Sequence, residues 1–175
     1  MLLYILLAIV AIIAVVFAIA MTKPATFTVT RTLAIAAPPA KLQPMINDFH
    51  AWSAWSPWEK LDPAMNRTFS GSASGTGAVY EWTGNKKVGA GRMEVLGEEP
   101  ARSVKIKLDF ITPFEAHNVT TFTFAPGGAT TTVRWDMSGP NTLIGKVMSV
   151  FVSMDAMIGK DFEAGLANLK RVAEA

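Results

Sequence analysis

The feature that most constrains the fold is a run of short segments in which apolar and polar residues alternate. It extends from residue 67 to 137, and turns rich in Gly or Pro separate the segments. The clearest segment, residues 103–110, carries its apolar residues on one face: Val104, Ile106, Leu108 and Phe110. Alternation with a period of two is typical of strands with one buried face. The run therefore predicts six antiparallel strands, and residues 26–35 predict one more.

After residue 140 the apolar residues recur at helical spacing, from 144 to 172. This spacing predicts one long helix, with Asn141 or Thr142 as its N-cap. Residues 40–49 predict a short helix before the run of strands. A sheet with one apolar face must bury that face, and the final helix is the only element long enough to cover it. We therefore expect an α+β fold in which a sheet packs around one helix.

Residues 2–21 form an apolar segment without a charged residue. At about 1.5 Å per residue, a helix of this length crosses the roughly 30 Å of a bilayer core. A cleaved signal peptide is the alternative, since Ala18-Ile19-Ala20 has the small-x-small pattern of cleavage sites. However, the positively charged n-region is missing and the segment exceeds the usual apolar length of about 7 to 15 residues. We expect a transmembrane anchor over 1–22 and one domain over 23–175.

The distribution of charge bears on location and partners. The 16 basic and 14 acidic residues leave a net charge of +2 and form no run, so we expect no nucleic-acid partner. No Lys or Arg precedes the apolar segment, whereas Lys23, Arg31 and Lys41 follow it. This weakly favours a cytoplasmic domain on a single-pass protein of the cell membrane. The absence of cysteine is compatible with either compartment.

Residue types that carry catalysis are sparse. His50 and His117 are the only histidines, neither has the spacing of metal ligands, and there is no cysteine nucleophile. We expect neither a metal nor a cofactor. Two polar residues are candidates for the lining of a cavity. Arg31 falls at a position of its strand where the alternation predicts an apolar, inward-facing residue, and His117 lies near Glu115. Since burying an unpaired Arg is costly, Arg31 predicts a bulge or an edge strand.

The inward-facing side chains of the predicted sheet and helix are mostly aromatic residues and methionines, which form a wide, adaptable lining. Core packing is the default interpretation. A pocket is the alternative, because a large concave sheet closed by one helix leaves apolar space. The candidate lining residues are Trp52, Tyr80, Trp82, Met93, Phe110, Phe122, Trp135, Met148, Phe151 and Met154.

The segment FHAWSAWSPWEKLDP, residues 49–63, contains three of the five tryptophans. Ser56-Pro57 disfavours a helix through Ser56, so Trp52 and Trp55 are predicted on a second short helix that ends before Trp58. We expect Trp55 and Trp58 to pack under the end of the sheet and Trp52 to lie nearer the cavity mouth. An anchor at the membrane interface is the rival interpretation.

Five segments carry a resemblance to a known family: WSAWSPWEKLDPAM, GSASGTGAVYEWTGN, GRMEVL, TTTVRWDMSGP and MIGKDFEAGLANLKRV. Over roughly residues 26–172 the chain resembles the bacterial polyketide cyclase/dehydrase-like proteins of the START and Bet v 1 (SRPBCC) superfamily. The resemblance implies a helix-grip fold, in which a curved antiparallel sheet of about seven strands and a long C-terminal helix enclose a cavity. Family members bind lipids, sterols, polyketides or hormones; some catalyse cyclisation, and a related branch activates a chaperone ATPase.

These observations favour a membrane-tethered protein that binds a hydrophobic small molecule or lipid in its cavity. One alternative is a cyclase or dehydratase-type enzyme acting on a polyketide-like substrate. The other is a partner-binding module, similar to the chaperone activators, that uses an exposed sheet edge and the tryptophan segment. No catalytic pattern is present to match, so the resemblance transfers no active-site residue.

Overall fold

The computed structural model describes all 175 residues and begins with helix α1, Leu2–Met21. The side chains of α1 are almost all exposed, and only Ala20 is buried. Helix α1 is long and apolar enough to cross a membrane, although an N-terminal signal sequence has the same properties. The structure therefore supports an apolar N-terminal helix of either kind.

Seven strands form a single antiparallel sheet. Their order across the sheet is β1-β7-β6-β5-β4-β3-β2, so β2 to β7 form a meander and β1 joins its last strand. This confirms the α+β helix-grip arrangement that was predicted. The strands are β1 Thr26–Ile35, β2 Asn66–Gly71, β3 Ala78–Thr83, β4 Ala90–Glu99, β5 Ser103–Thr112, β6 Ala116–Gly127 and β7 Thr130–Pro140.

The sheet is curved, and its apolar face is the concave one. Strand β4 shifts register against β5 between Ala90 and Gly91 and again between Val95 and Gly97. Such irregularities bend a strand and increase its twist. Gly91 has a second role, because the indole of Trp82 lies where a Cβ at residue 91 would stand. A glycine at this point lets the Trp82 ring lie flat on the neighbouring strand.

Short helices connect β1 to β2. They are α2 Pro39–Leu42, α3 Pro44–Asn47 and two 3-10 helices, Phe49–Ala54 and Pro57–Lys60. Proline is the first residue of α2, of α3 and of the second 3-10 helix, where its fixed φ and missing N–H are tolerated. The helix predicted over 40–49 is therefore divided at Pro44, and Trp52 lies on a 3-10 helix that ends before Trp55.

The long C-terminal helix is confirmed, but the prediction that it extends without a break from residue 144 to 172 is wrong. The structure has α4, Leu143–Met148, and a separate α5, Met154–Ala173. The Thr142 hydroxyl accepts a hydrogen bond from Gly145 N at 3.2 Å, and that of Ser153 accepts one from Ala156 N at 3.1 Å. Each helix thus has its own N-cap. The residues between them, 149–153, include three consecutive apolar residues that cannot all lie on one face of a helix.

Helix α5 covers part of the concave face. Its buried residues include Phe162, Leu166 and Leu169, and the helix packs closely on β1. Opposite them, Phe122 on β6 and Trp55 are completely buried. Burial of one such side chain contributes about 1.5–3 kcal/mol, so this cluster accounts for much of the stability of the sheet and helix assembly.

Candidate functional site

An apolar cavity of about 230 Å³ lies between the concave face and α5. Six of the residues predicted to line a pocket are on its wall: Trp52, Tyr80, Trp82, Met93, Phe110 and Trp135. Trp58, Leu108, Met137, Ile158 and Phe162 are further apolar members of the wall. The structure therefore brings most of the predicted aromatic lining together around one space.

Strand register explains why these side chains meet. Tyr80 on β3 pairs with Met93 on β4, which in turn pairs with Leu108 on β5. Residues directly opposite each other on antiparallel strands point to the same face. The rings of Tyr80 and Trp82 are 5.9 Å apart, and Trp82 meets Phe110 edge to face at 6.0 Å. The wall is thus a continuous apolar layer across three strands, with aromatic rings on β3 and β5 and Met93 on β4 between them.

The cavity has a closed end and a mouth. Trp52, Tyr80 and Met93 are buried, and they form the closed end together with the other buried members of the wall. The residues of the wall that retain exposure are Trp58, Glu59, Trp82, Lys87, Val88, Leu108, Phe110 and Ile158. These residues belong to the β3–β4 turn, the ends of β3 and β5, the second 3-10 helix and the start of α5. They define the mouth.

The positions of the three tryptophans in residues 49–63 differ in part from the prediction. Trp55 is fully buried, as expected, and its Nε1 donates to the Met45 carbonyl oxygen at 2.8 Å. Trp52 lies deep in the cavity wall, and its Nε1 donates to the carbonyl oxygen of Ile46 at 2.9 Å. Trp58, not Trp52, is the ring at the mouth. Because Trp52 and Trp55 are buried, neither of these two rings is available for an exposed partner surface or a membrane anchor.

Four predicted lining residues lie outside the cavity wall. Phe122 is completely buried beside the wall, with its ring 4.7 Å from that of Trp135. Met154 packs against the core without reaching the cavity. Met148 and Phe151 are exposed. Their exposure follows from the break between α4 and α5, which turns this part of the chain away from the sheet.

Arg31 does not face the cavity. It lies on edge strand β1 without a bulge, and its guanidinium is held against α5 by two carboxylates. Nη1 contacts Asp155 and Nε contacts Glu163, each at 2.6 Å. These hydrogen bonds raise the pKa of Arg31 above its usual value. Gly159 leaves the space that the guanidinium occupies. Arg31 therefore fastens α5 to the sheet edge.

His117 lies on the convex face, outside the cavity. Its Nδ1 is 2.8 Å from Asp109 Oδ1, and its Nε2 is 3.2 Å from Glu115 Oε1. The hydrogen bond with Asp109 is the main reason that the pKa of His117 is raised. The inward residues of β6 have even numbers, such as Thr120 and Phe122, which is why an odd-numbered residue points outward. His117 is therefore not a polar residue of the cavity.

The polar groups that do line the cavity were missed by the sequence reasoning. Glu59 on the second 3-10 helix accepts a hydrogen bond from the Tyr80 hydroxyl at 2.6 Å and one from Arg67 Nε at 2.7 Å. Burial, and then the contact with Glu59, raise the pKa of Tyr80 above its usual value, so the phenol stays protonated and donates. No sequence signal marks Glu59, because a charged residue that follows a tryptophan is usually a surface residue.

Two hydroxyl groups complete the polar part of the wall. The Thr120 hydroxyl accepts from Trp135 Nε1 at 2.7 Å and donates to the Asp136 carbonyl oxygen at 2.8 Å. Ser56 is buried and lines the cavity, and its hydroxyl makes no hydrogen bond within the protein. Ser56 is thus the one hydroxyl in the wall that is free to bind a ligand.

The chain contains no group of three or more His, Asp or Glu residues arranged to hold a metal ion. A closed aromatic cavity under a C-terminal helix is instead the arrangement of a known family. The family model described as polyketide cyclase / dehydrase and lipid transport matches residues 26–174. The chain belongs to this family. No curated protein matches the chain significantly.

Solved structures share the fold of this polyketide cyclase/dehydrase and lipid transport family member at low sequence identity. A protein from Chromobacterium violaceum is 17% identical, with a TM-score of 0.61 over 85% of this chain and 99% of that one. The Aha1 dimer from Colwellia psychrerythraea is 16% identical, with a TM-score of 0.60 over 85% and 96%. The di-domain ARO/CYC protein BexL is 16% identical, with a TM-score of 0.63, over 90% of this chain and 53% of BexL.

These structural likenesses establish the fold alone. Together, the family and the fold support a ligand-binding or cyclase-like role for this member of the polyketide cyclase/dehydrase and lipid transport family.

Proposed function

We propose that this protein binds a hydrophobic small molecule or lipid in its cavity while α1 tethers it to the cell membrane. The observation that carries the proposal is the aromatic cavity of about 230 Å³ with a mouth between the β3–β4 turn and α5. Moving apolar surface from water into such a space gains roughly 25 cal/mol per Å². The driving force for binding is therefore the burial of apolar surface.

The size of the cavity restricts the ligand. Its volume of about 230 Å³ is below the roughly 300–1,000 Å³ of pockets that enclose drug-sized ligands. A compact molecule of one or two rings fits inside. A long acyl chain fits only in part, with the remainder leaving through the mouth beside Trp58 and Ile158.

The polar groups of the wall indicate one hydrogen-bonding group on the ligand. Ser56 offers a free hydroxyl, and the Tyr80 oxygen can still accept a hydrogen bond while its proton is donated to Glu59. A carboxylate on the ligand would approach the Glu59 carboxylate and be repelled. We therefore favour a neutral hydroxyl or carbonyl group at the closed end, with any anionic group at the mouth near Lys87.

Co-purification with a blocked cavity tests the binding function. Leu108 lines the cavity and Leu96 is exposed on β4, so Leu108→Trp fills the cavity and Leu96→Trp is a control with the same substitution. We expect mass spectrometry of organic extracts to find an apolar molecule on the full-length protein and on L96W, at near one-to-one ratio. We expect it to be lost from L108W. Equal extracts from both variants would contradict the proposal.

The role of Ser56 is tested with a matched pair of probes, naphthalene and 2-naphthol. Calorimetry with the full chain in nanodiscs is expected to show 2-naphthol binding several-fold more tightly, because one good hydrogen bond is worth about 1 kcal/mol. Ser56→Ala is expected to remove the difference, whereas Ser53→Ala, at an exposed position, is expected to keep it. Equal affinity for both probes on the unmodified protein would exclude a polar contact.

The division into an anchor, 1–22, and a domain, 23–175, is part of this proposal. The core described above contains no residue of α1 except Ala20, so deletion of residues 1–22 is expected to yield a soluble, folded domain. Aggregation of the truncated chain would contradict the division. Recovery of native protein that lacks its first twenty residues would identify α1 as a cleaved signal peptide.

An enzyme of the cyclase type is the second candidate, and the Glu59–Tyr80 pair is the observation that favours it. In an apolar cavity the Tyr80 hydroxyl can donate to a substrate carbonyl in place of Glu59, and the Glu59 carboxylate can then accept a proton from the substrate. Tyr80→Phe separates the two functions. If the protein only binds a ligand, Y80F is expected to retain most of the affinity, and the unmodified protein is expected to show no turnover of a polyketide-like substrate. If the protein is an enzyme, Y80F is expected to lose turnover.

A further inference from the structure

The antiparallel register gathers several turns at one end of the sheet. Thr26 at the start of β1 pairs with Pro140 at the end of β7. Across the sheet, the same end carries the β5–β6 turn, residues 113–115, and the β3–β4 turn, residues 84–89. We name this the α1 end, because α1 leads directly into β1 there. The β2–β3, β4–β5 and β6–β7 turns lie at the opposite end, named the far end.

The link between α1 and the sheet is short and fixed. Asn141 N donates to the Ala25 carbonyl oxygen at 2.8 Å, and Asn141 Nδ2 donates to that of Pro24 at 3.2 Å. From Met21 to Thr26 an extended chain spans at most about 17 Å, at roughly 3.5 Å per residue. Helix α4 also packs against α1. If α1 spans a bilayer, the α1 end must lie at the membrane surface.

Large exposed apolar side chains concentrate at this end. Phe151 is 72% exposed, Phe114 69% and Ile144 65%, and Ile111, Leu143 and Val152 are each between 49% and 59% exposed. Exposed apolar patches of this kind mark membrane or protein contacts. By contrast, the turns of the far end contain no large apolar residue. Helix α4, which carries Leu143 and Ile144, contacts α1, so this part of the patch adjoins the apolar surface of α1.

Charge at the α1 end favours a lipid surface as the occupant of this patch. Lys23, Lys86, Lys87 and Lys146 lie beside the apolar side chains, a pattern that suits anionic headgroups above an apolar interface. The acidic groups nearby are Glu115, which contacts His117, Asp155, which Arg31 neutralises, and Asp62, which is buried and accepts a hydrogen bond from Asn85 N in the β3–β4 turn.

The mouth of the cavity opens at the same end. Lys87 and Val88 in the β3–β4 turn, Phe110 at the end of β5 and Ile158 at the start of α5 all belong to the cavity wall. A ligand that leaves the cavity therefore emerges next to the apolar patch and not at the far end.

We propose that the α1 end is a bilayer-contacting surface, in which the β5–β6 turn and the segment between α4 and α5 enter the lipid interface around the cavity mouth. The ligand then exchanges between cavity and bilayer without crossing water. This inference rests on the proposed function, since it requires α1 to remain as a membrane anchor.

The absence of cysteine allows the test by single labels on the full chain. Phe114→Cys and Phe151→Cys carry an environment-sensitive nitrobenzoxadiazole group at the α1 end, and Leu96→Cys, also exposed, carries it near the far end as the control. The proteins are reconstituted in vesicles of phosphatidylcholine and phosphatidylserine and collected by flotation. We expect blue-shifted emission and quenching by doxyl-labelled lipid at residues 114 and 151, and quenching by aqueous iodide at residue 96.

The remaining outcomes overturn the inference in distinguishable ways. Iodide quenching at all three positions in floating vesicles would refute the bilayer contact while leaving the anchor and the ligand intact. Protection from iodide without quenching by doxyl lipid, increasing with the protein-to-lipid ratio, would identify a second copy of the chain as the occupant. Failure of the protein to float would refute the anchor, and with it both proposals.

Discussion

The two ends of the concave face have the same kind of residues but different packing. Around Phe122, Trp55 and Leu166 the rings and aliphatic groups fill the space, and none of these side chains is measurably exposed to solvent. Around Trp82, Leu108 and Phe110 a similar set of side chains leaves the cavity and keeps part of its surface accessible. Residue type alone therefore does not decide which end is core and which is site.

The difference comes from the elements that cover each end. The 3-10 helix that bears Trp52 and the C-terminal half of α5 both pack on the filled end, where Trp55 meets Phe122 edge to face with ring centroids 6.1 Å apart. At the other end α5 begins only at Met154, so no helix lies over the last residues of β3 and β5. The cavity lies here because the covering helix is too short for the sheet.

The largest effect is expected from Phe122→Ala, at the filled end. Removing a fully buried phenylalanine ring costs about 3–5 kcal/mol of unfolding free energy. Urea denaturation of the full chain in a mild detergent, followed by circular dichroism, measures the loss. A loss below 1 kcal/mol would mean that this end is loosely packed and that the contrast between the two ends does not hold.

A matched pair on β5 sharpens the comparison. Ile106 is completely buried, whereas Leu108, two residues further and on the same face, lines the cavity. We expect Ile106→Ala to cost about 2–5 kcal/mol and Leu108→Ala distinctly less, because part of the Leu108 side chain contacts empty space. The same denaturation measurement decides. Equal losses would indicate that the cavity is closed in solution.

A smaller effect is expected at Phe151. Because 72% of the surface of Phe151 is exposed, Phe151→Ala is expected to change the unfolding free energy by no more than about 0.5 kcal/mol. Lys105→Ala, on the exposed face of β5, is the control of similar expected size. A loss of several kcal/mol at residue 151 would show that the segment between α4 and α5 packs on the domain in solution.

The smallest effect concerns the convex face. The contact with Asp109 raises the pKa of His117, so this contact stabilises the fold below the pKa of the unfolded histidine, and its contribution is lost as the pH rises through the folded pKa. NMR titration is expected to give His117 a pKa above its ordinary value, and Asp109→Asn to lower it. The affinity for 2-naphthol is expected to be the same on both sides of this titration. A change in this affinity across the titration of His117 would show that the convex face is coupled to the cavity.

Much of the fold was predictable from local pattern. The two-residue period along β1 to β7 and the absence of charge in α1 each depend only on neighbouring residues. The break in the C-terminal helix was harder, because Met148, Phe151 and Met154 continue the helical spacing across it. Ser153, followed by Asp155 in the first turn, was the available signal for a second N-cap.

The site was less predictable than the fold. The alternation of inward and outward residues along a strand identified the inward residues of β3, β4 and β5, including Tyr80 and Met93. This alternation does not distinguish an inward ring that contacts a neighbouring side chain from one that lines a cavity. The polar groups of the wall lie on irregular segments, where no period assigns a direction to the side chain. Ser56 and Glu59 reach the cavity because of how two 3-10 helices are placed, and that placement depends on the whole core.

The position of β1 has a consequence for the order in which the chain folds. Strands β2 to β7 pair with their neighbours in sequence, whereas Thr26 finds its partner at Pro140, at the other end of the domain. Contacts between distant residues form slowly, because the intervening loop must first be closed at a cost in entropy. During synthesis, β1 therefore emerges before the other strands and stays unpaired until β7 is made, and α5, which packs on β1, is made later still.

We expect pulse-labelled amides to become protected in β4 to β6 before β1, and earlier protection of β1 would contradict this order. The strand nearest α1 is thus the last to be secured, and a nascent chain stalled before residue 130 carries an open sheet edge and an apolar face that only a chaperone can cover.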